Sequence, residues 1–141
     1  MLFIKKLSTF ESYCTIMKNV YLQLNSRDEF HKIDISKIVY IEADGNYTNI
    51  VTVNKLKCVV GTNLSGMQQL LSNSLKEKAT MFVRIGKRHI INHNYIYRIS
   101  ISKQQLVLSD CEKFAFALSI SKEALKKLKE LFSKPVATGT K

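Results

Sequence analysis

Between residues 38 and 60 the chain repeats one unit: a short run of β-branched and aromatic residues, then a tight turn. "IVYIEA" (38–43) is followed by "DGN" (44–46), "YTNIVTV" (47–53) by "NK" (54–55), and "LKCVVG" (56–61) completes the series. Gly and Asn reverse a backbone at low steric cost, and runs this short at hairpin spacing predict antiparallel strands. The chain is thereby confined to architectures that are mainly β.

The period changes once and then changes back. Leu64, Met67, Leu70, Leu71 and Leu75 recur at three and four residues, the stripe of an amphipathic helix. Strands resume over 81–85, 89–92, 96–102, 105–108 and 114–118. A last helix starts near Ser121, an N-cap residue type, with Glu123 in its first turn. Its apolar stripe is Ala124, Leu125, Leu128, Leu131 and Phe132, and Pro135 ends it. Upstream, "NVYLQLN" (19–25) alternates as a strand and "DISKI" (34–38) reads as a capped turn. Residues 1–16 lack a period and are expected to be a flexible extension, with the domain over 17–133 and a flexible tail over 134–141. The two short helices are separated by several strands, so they cannot be the adjacent pair of a helix-turn-helix. A chain of this kind that binds nucleic acid must read it with loops or strands.

Charge points to such a partner. The formal net charge is +11, with 22 Lys and Arg against 11 Asp and Glu. An excess of this size predicts an anionic partner. It is also unevenly placed: from Met81 to Ser109 there is no acidic residue, while Arg84, Lys87, Arg88, Arg98, Lys103, His89 and His93 all fall there. "FVRIGKRHIINHNYI" (82–96) sets Arg84, Lys87, Arg88 and His89 against an apolar strand, with Gly86 able to take the left-handed conformation of a tight turn. A solvated charge run needs no such strand, whereas a phosphate-facing loop on a rigid scaffold does. Lys87 and Arg88 are then expected to project into a groove, where Lys or Arg donating to guanine is the commonest specific contact.

Other chemistry is missing. "GTNLSGM" (61–67) lacks the Gly-Lys-Ser/Thr of a phosphate-binding loop. His89 and His93 have the spacing of a helical zinc pair, but "HIIN" reads as a strand, so no metal is expected. Glu42 and Asp44 are a poor acid–base pair because Asp44 belongs to a turn. Glu42 is instead expected to be structural, paired with Arg84. No enzyme activity and no cofactor are expected. Three cysteines, Cys14, Cys58 and Cys111, without C-x-x-C spacing fit a reducing compartment, and the expected location is cytoplasmic. No apolar run reaches the roughly 18 residues that would suggest a membrane span.

The order of four segments resembles the LytTR family of bacterial DNA-binding domains. They are "IVYIEADGNYTNI" (38–50), "GTNLSGMQQLL" (61–71), "FVRIGKRHIINHNYI" (82–96) and "FALSISKEALKKL" (116–128, with Phe114 just ahead), and the likeness covers about residues 17–133. The resemblance implies several small antiparallel sheets with two short helices. It also implies loops that enter the major groove of double-stranded DNA, commonly at repeated promoter elements, with room for a homodimer on DNA. Carried over by position, it marks Asn46, Tyr47 and Asn49 after "YIEA". It marks Arg84, Lys87, Arg88 and His89 in the basic stretch, and Ser119, Ser121 and Lys122 at the entry to the last helix, where backbone donors can meet a phosphate. Tyr47 has a second reading, packing on its strand. Many members carry a His after the motif's Arg where this chain has Gly86, so base preference is expected to differ. Family members are often fused to a receiver domain; the 16 residues ahead of the domain are too few for one, and a stand-alone module is expected.

The expected function is sequence-specific DNA binding in transcription regulation. An RNA-binding β module is the rival, because Tyr95 and Tyr97, two apart, would form an aromatic platform on one strand face. A protein-interaction module whose charge only aids solubility is the third reading.

Overall fold

The computed structural model describes residues 20–133, so the expected extension (1–16) and tail (134–141) lie outside the described residues. The chain divides into two compact units at Lys37 and Ile38. In the first, β1 (Tyr21–Asn25) and β2 (Phe30–Asp34) form an antiparallel hairpin. β2 was not expected: "FHKID" has no clean alternation, and its pairing with β1 is what makes it a strand. The capped turn at "DISKI" is present as a 3-10 turn over Ile35–Lys37. The Asp34 carboxylate accepts from both the amide and the hydroxyl of Ser36.

The second unit is built on a five-stranded antiparallel sheet. Its strands are β3 (Ile38–Asp44), β4 (Tyr47–Thr52), β5 (Lys57–Val60), β6 (Phe82–Ile85) and β7 (His89–Asn92), in the order β5-β4-β3-β7-β6. The central strands β3 and β7 are covered on both faces, which is why they read as unbroken apolar runs. Ile38, Val39, Tyr40 and Ile41 are all buried, and so are all four residues of β7. A register shift between Ile38 and Tyr40 inserts Val39 as an extra residue, fully buried in the core.

One face of this sheet carries Ile41, Ile50 and Ile90, and α1 (Leu64–Leu75) packs on β4 and β7. Leu64, Met67, Leu71 and Leu75 are buried as the periodicity predicts, while Leu70 is only half-buried. Asn63 caps the helix by accepting from the Gly66 amide at 2.8 Å. The other face presents Tyr40, Val51, Ile85 and Ile91 to a core shared with a three-stranded sheet, β8 (Ile96–Ser100), β9 (Gln105–Ser109) and β10 (Ala115–Ser119), and with α2 (Lys122–Ser133). Leu125 and Leu128 enter this core, but Leu131 and Phe132 remain exposed, because the stripe runs past the sheet edge that the first two turns cover. No helix among the described residues is long and apolar enough to cross a membrane.

Candidate nucleic-acid interface

Strand pairing decides which functional side chains meet. Glu42 on β3 lies opposite Asn49 on β4 and opposite His89 on β7, and His89 lies opposite Ile85 on β6. Directly opposed residues share a face. Asn49, Glu42, His89 and Ile85 therefore form one row across the sheet, on the face away from α1. Arg84 is one residue out of step and points to the other face. Its guanidinium donates to Ser65 Oγ at 3.1 Å and to Gln68 Oε1 at 3.2 Å, both on α1. The expected Glu42–Arg84 pair therefore does not form, since the two side chains leave opposite faces of the sheet.

Glu42 instead meets the far end of the basic stretch. Its Oε2 stands 3.5 Å from His89 Nε2 and 4.0 Å from an Arg88 terminal nitrogen. Burial holds the His89 imidazole below the ordinary histidine value; the Glu42 carboxylate opposes that shift, and Arg88 reinforces it. Burial, with the same carboxylate, pushes the Tyr40 phenol up. Its ring centroid lies 6.2 Å from that of His89.

The turn of residues 86–88 joins β6 to β7, with Gly86 at φ +64°. It rests against β3: the Ala43 amide donates to the Arg88 carbonyl at 2.8 Å, and the Arg88 guanidinium donates to the Ala43 carbonyl at 3.4 Å. Lys87, between them, has no side-chain partner among the described residues. The neighbouring turn carries Gly45 at φ +67° and Asn46, with Gly in the first central position as a type II′ hairpin requires. Tyr47 is 54% exposed, so it is not a core residue, although its ring lies over Gly61. The Asn49 amide reaches Asp44 Oδ2 at 3.5 Å.

The third segment, residues 119–122, is held by β10 and by the Ile120 amide donating to the Gln104 carbonyl at 3.1 Å. Ser121 caps α2, its hydroxyl oxygen accepting from the Ala124 amide at 3.3 Å. Between this segment and the 86–88 turn lies an open groove of about 670 Å³. Lys87, Arg88 and Lys127 bring positive charge to it, Ser119 and Ser121 bring hydroxyls, and Glu123 brings a single carboxylate. The structure thus gathers the three predicted segments: the 44–47 turn abuts the 86–88 turn through Ala43 and Arg88, and the groove joins the latter to the start of α2. Arg84 borders the groove but is tied to α1. Lys127 was not foreseen; it lies one helical turn beyond Glu123, a spacing that would have placed it on the same helix face.

The aromatic platform expected of an RNA reader does not form. Tyr95 closes a 3-10 turn (His93–Tyr95), half-buried with its ring 5.4 Å from Phe114, so of the two tyrosines only Tyr97, on β8, is exposed. His93 lies against Phe132, with ring centroids 5.1 Å apart, away from His89 on β7. Cys58 is buried and Cys111 exposed.

Small antiparallel sheets carrying a turn-lined cationic groove define a mainly β module. The family model for the LytTr DNA-binding domain matches residues 28–133, and the chain belongs to that family. The fold is shared with the LytTr DNA-binding domain of a Bacillus cereus protein assigned as a methyl-accepting/DNA response regulator. The likeness has a TM-score of 0.57 at 21% identity, over 82% of this chain and 98% of that one. No curated protein matches.

Proposed function

We propose that this chain is a bacterial transcription regulator that binds double-stranded DNA sequence-specifically, placing its turns in the major groove. The observation that carries the reading is a groove between the 86–88 turn and the start of α2, with the 44–47 turn bonded alongside through Ala43 and Arg88, in which Lys87 has no partner among the described residues. Lys87, with Asn46 and Tyr47 on the adjoining turn, faces the bases, while Lys122, Lys127 and the backbone donors at the start of α2 face phosphates. Ser119 and Ser121 line the same approach. Repeated promoter elements suit a module that presents one edge, and two copies side by side on such repeats form a homodimer on DNA. Membership of a DNA-binding family and the net charge of +11 support the partner.

The test is competition. A labelled duplex recovered by site selection is challenged with random duplex, single-stranded DNA and single-stranded RNA of equal length. The selected duplex should compete best, followed by random duplex. Equal or better competition by RNA would replace this reading with the RNA-binding one.

A further inference from the structure

In the DNA-binding reading above, both Lys87 and Arg88 are candidates to touch bases, and the inference here rests on that reading. The two cations differ in one respect. The Arg88 guanidinium is engaged by the protein itself, 3.4 Å from the Ala43 carbonyl and 4.0 Å from the Glu42 carboxylate, although its side chain is 67% exposed. The Arg88 main chain is also bound, its carbonyl accepting from the Ala43 amide at 2.8 Å. Glu42 additionally faces His89, which is buried at the base of the same turn and lies directly across the strand pair. One carboxylate on β3 thus touches the last residue of the turn and the first residue of the strand that follows it.

We propose that Glu42 is the positioning residue of the 86–88 turn: it holds Arg88 against β3 and leaves Lys87 as the turn's base-reading cation. Arg88 is then a latch. An exposed ion pair is worth little to stability. It is sufficient to bias an exposed side chain between two orientations, which is all the assignment requires. Glu42 acts through Arg88 and His89 and touches no DNA. Without either partner the turn loses its side-chain tie to β3, so Lys87 is held less firmly over its acceptors and the turn reads less selectively.

The experiment uses the full chain with Glu42→Gln, Arg88→Gln and the double variant. Glu42→Gln preserves shape, and Arg88→Gln is on the surface, so both fold. In DNA-free protein, amide exchange of Ala43 should quicken several-fold in either single variant and no further in the double. With DNA, the affinity ratio of the wild-type-selected duplex to a random duplex should fall roughly three- to fivefold in each single variant, the size expected of an exposed pair. The double variant should match the singles, whereas Lys87→Ala should lower the ratio further in every background. Unchanged Ala43 exchange in Glu42→Gln overturns the proposal whatever DNA does. Quickened exchange with an unmoved ratio also overturns it, because the contact would then be structural only. A wild-type protein with no duplex preference would defeat the DNA-binding reading, and the exchange arm would still decide the latch.

Discussion

Asn92 is fully buried and makes two bonds that no apolar residue could replace. Its amide nitrogen donates to the Ile38 carbonyl at 2.9 Å, and its carbonyl oxygen accepts from the Asn94 amide at 3.0 Å. The first bond ties β7 to the start of β3, and the second caps the 3-10 turn that follows. Asn92→Ala strands the buried Ile38 carbonyl and uncaps the 3-10 turn, and should cost about 1–3 kcal/mol, read by urea denaturation. His89 gives a pH dependence of definite sign. Its folded-state pKa is lowered, by burial above all, so the unfolded chain takes up the proton first. The stability it contributes is whole above about pH 6.5 and is lost as pH falls from there through the folded value. Denaturation between pH 7 and 5 should show this loss, and His89→Gln should flatten it. At the surface, Lys87→Ala should cost about 1–3 kcal/mol on the preferred duplex and flatten the preference at one position. Lys103, exposed in the β8–β9 turn, should weaken all duplexes slightly and equally when replaced by Ala. Site selection run on both variants separates the two roles; an unaltered sequence preference for Lys87→Ala would make the 86–88 turn a phosphate clamp.

At the scale of elements, the 86–88 turn depends on a backbone that only Gly adopts freely. Space is not the obstacle at Gly86: an added Cβ would lie 3.9 Å from Ala124, an ordinary contact. The φ of +64° is, and Gly86→Ala should cost about 1–2 kcal/mol. Gly61 is the control, since its Cβ would lie 3.8 Å from the Tyr47 ring and its φ is not in the left-handed range; Gly61→Ala should leave thermal unfolding nearly unchanged. Elements with a strong period were legible. Leu64, Met67, Leu71 and Leu75 marked α1, and "IVYI" and "HIIN" marked the doubly covered strands. β2 was not legible, because none of its five residues is fully buried and only its cross-strand partners define it. Nor was the end of the α2 stripe: Leu131 and Phe132 continue the helical period but lie past the core that buries Leu125 and Leu128.

At the scale of the whole molecule, the net charge of +11 sets the expected response to salt. With about five phosphates neutralised, log affinity should fall against log salt with a slope near −4 to −5, and a slope near zero would remove the electrostatic basis of binding. The sequence by itself determined the mainly β class, the two helices and the basic stretch over residues 81–109, each from local composition: alternation, turn residues and the absence of acids. The three site segments were marked by the family resemblance. Only tertiary structure decided which of those cations are available. Arg84 and Lys87 are three residues apart and chemically alike in sequence, yet one is bound to α1 and the other has no partner among the described residues. The Glu42 partner changed for the same reason. A strand sends neighbouring side chains to opposite faces, so the register of β3, β6 and β7, which no single segment encodes, set Glu42 against Arg88 and His89 and kept it from Arg84.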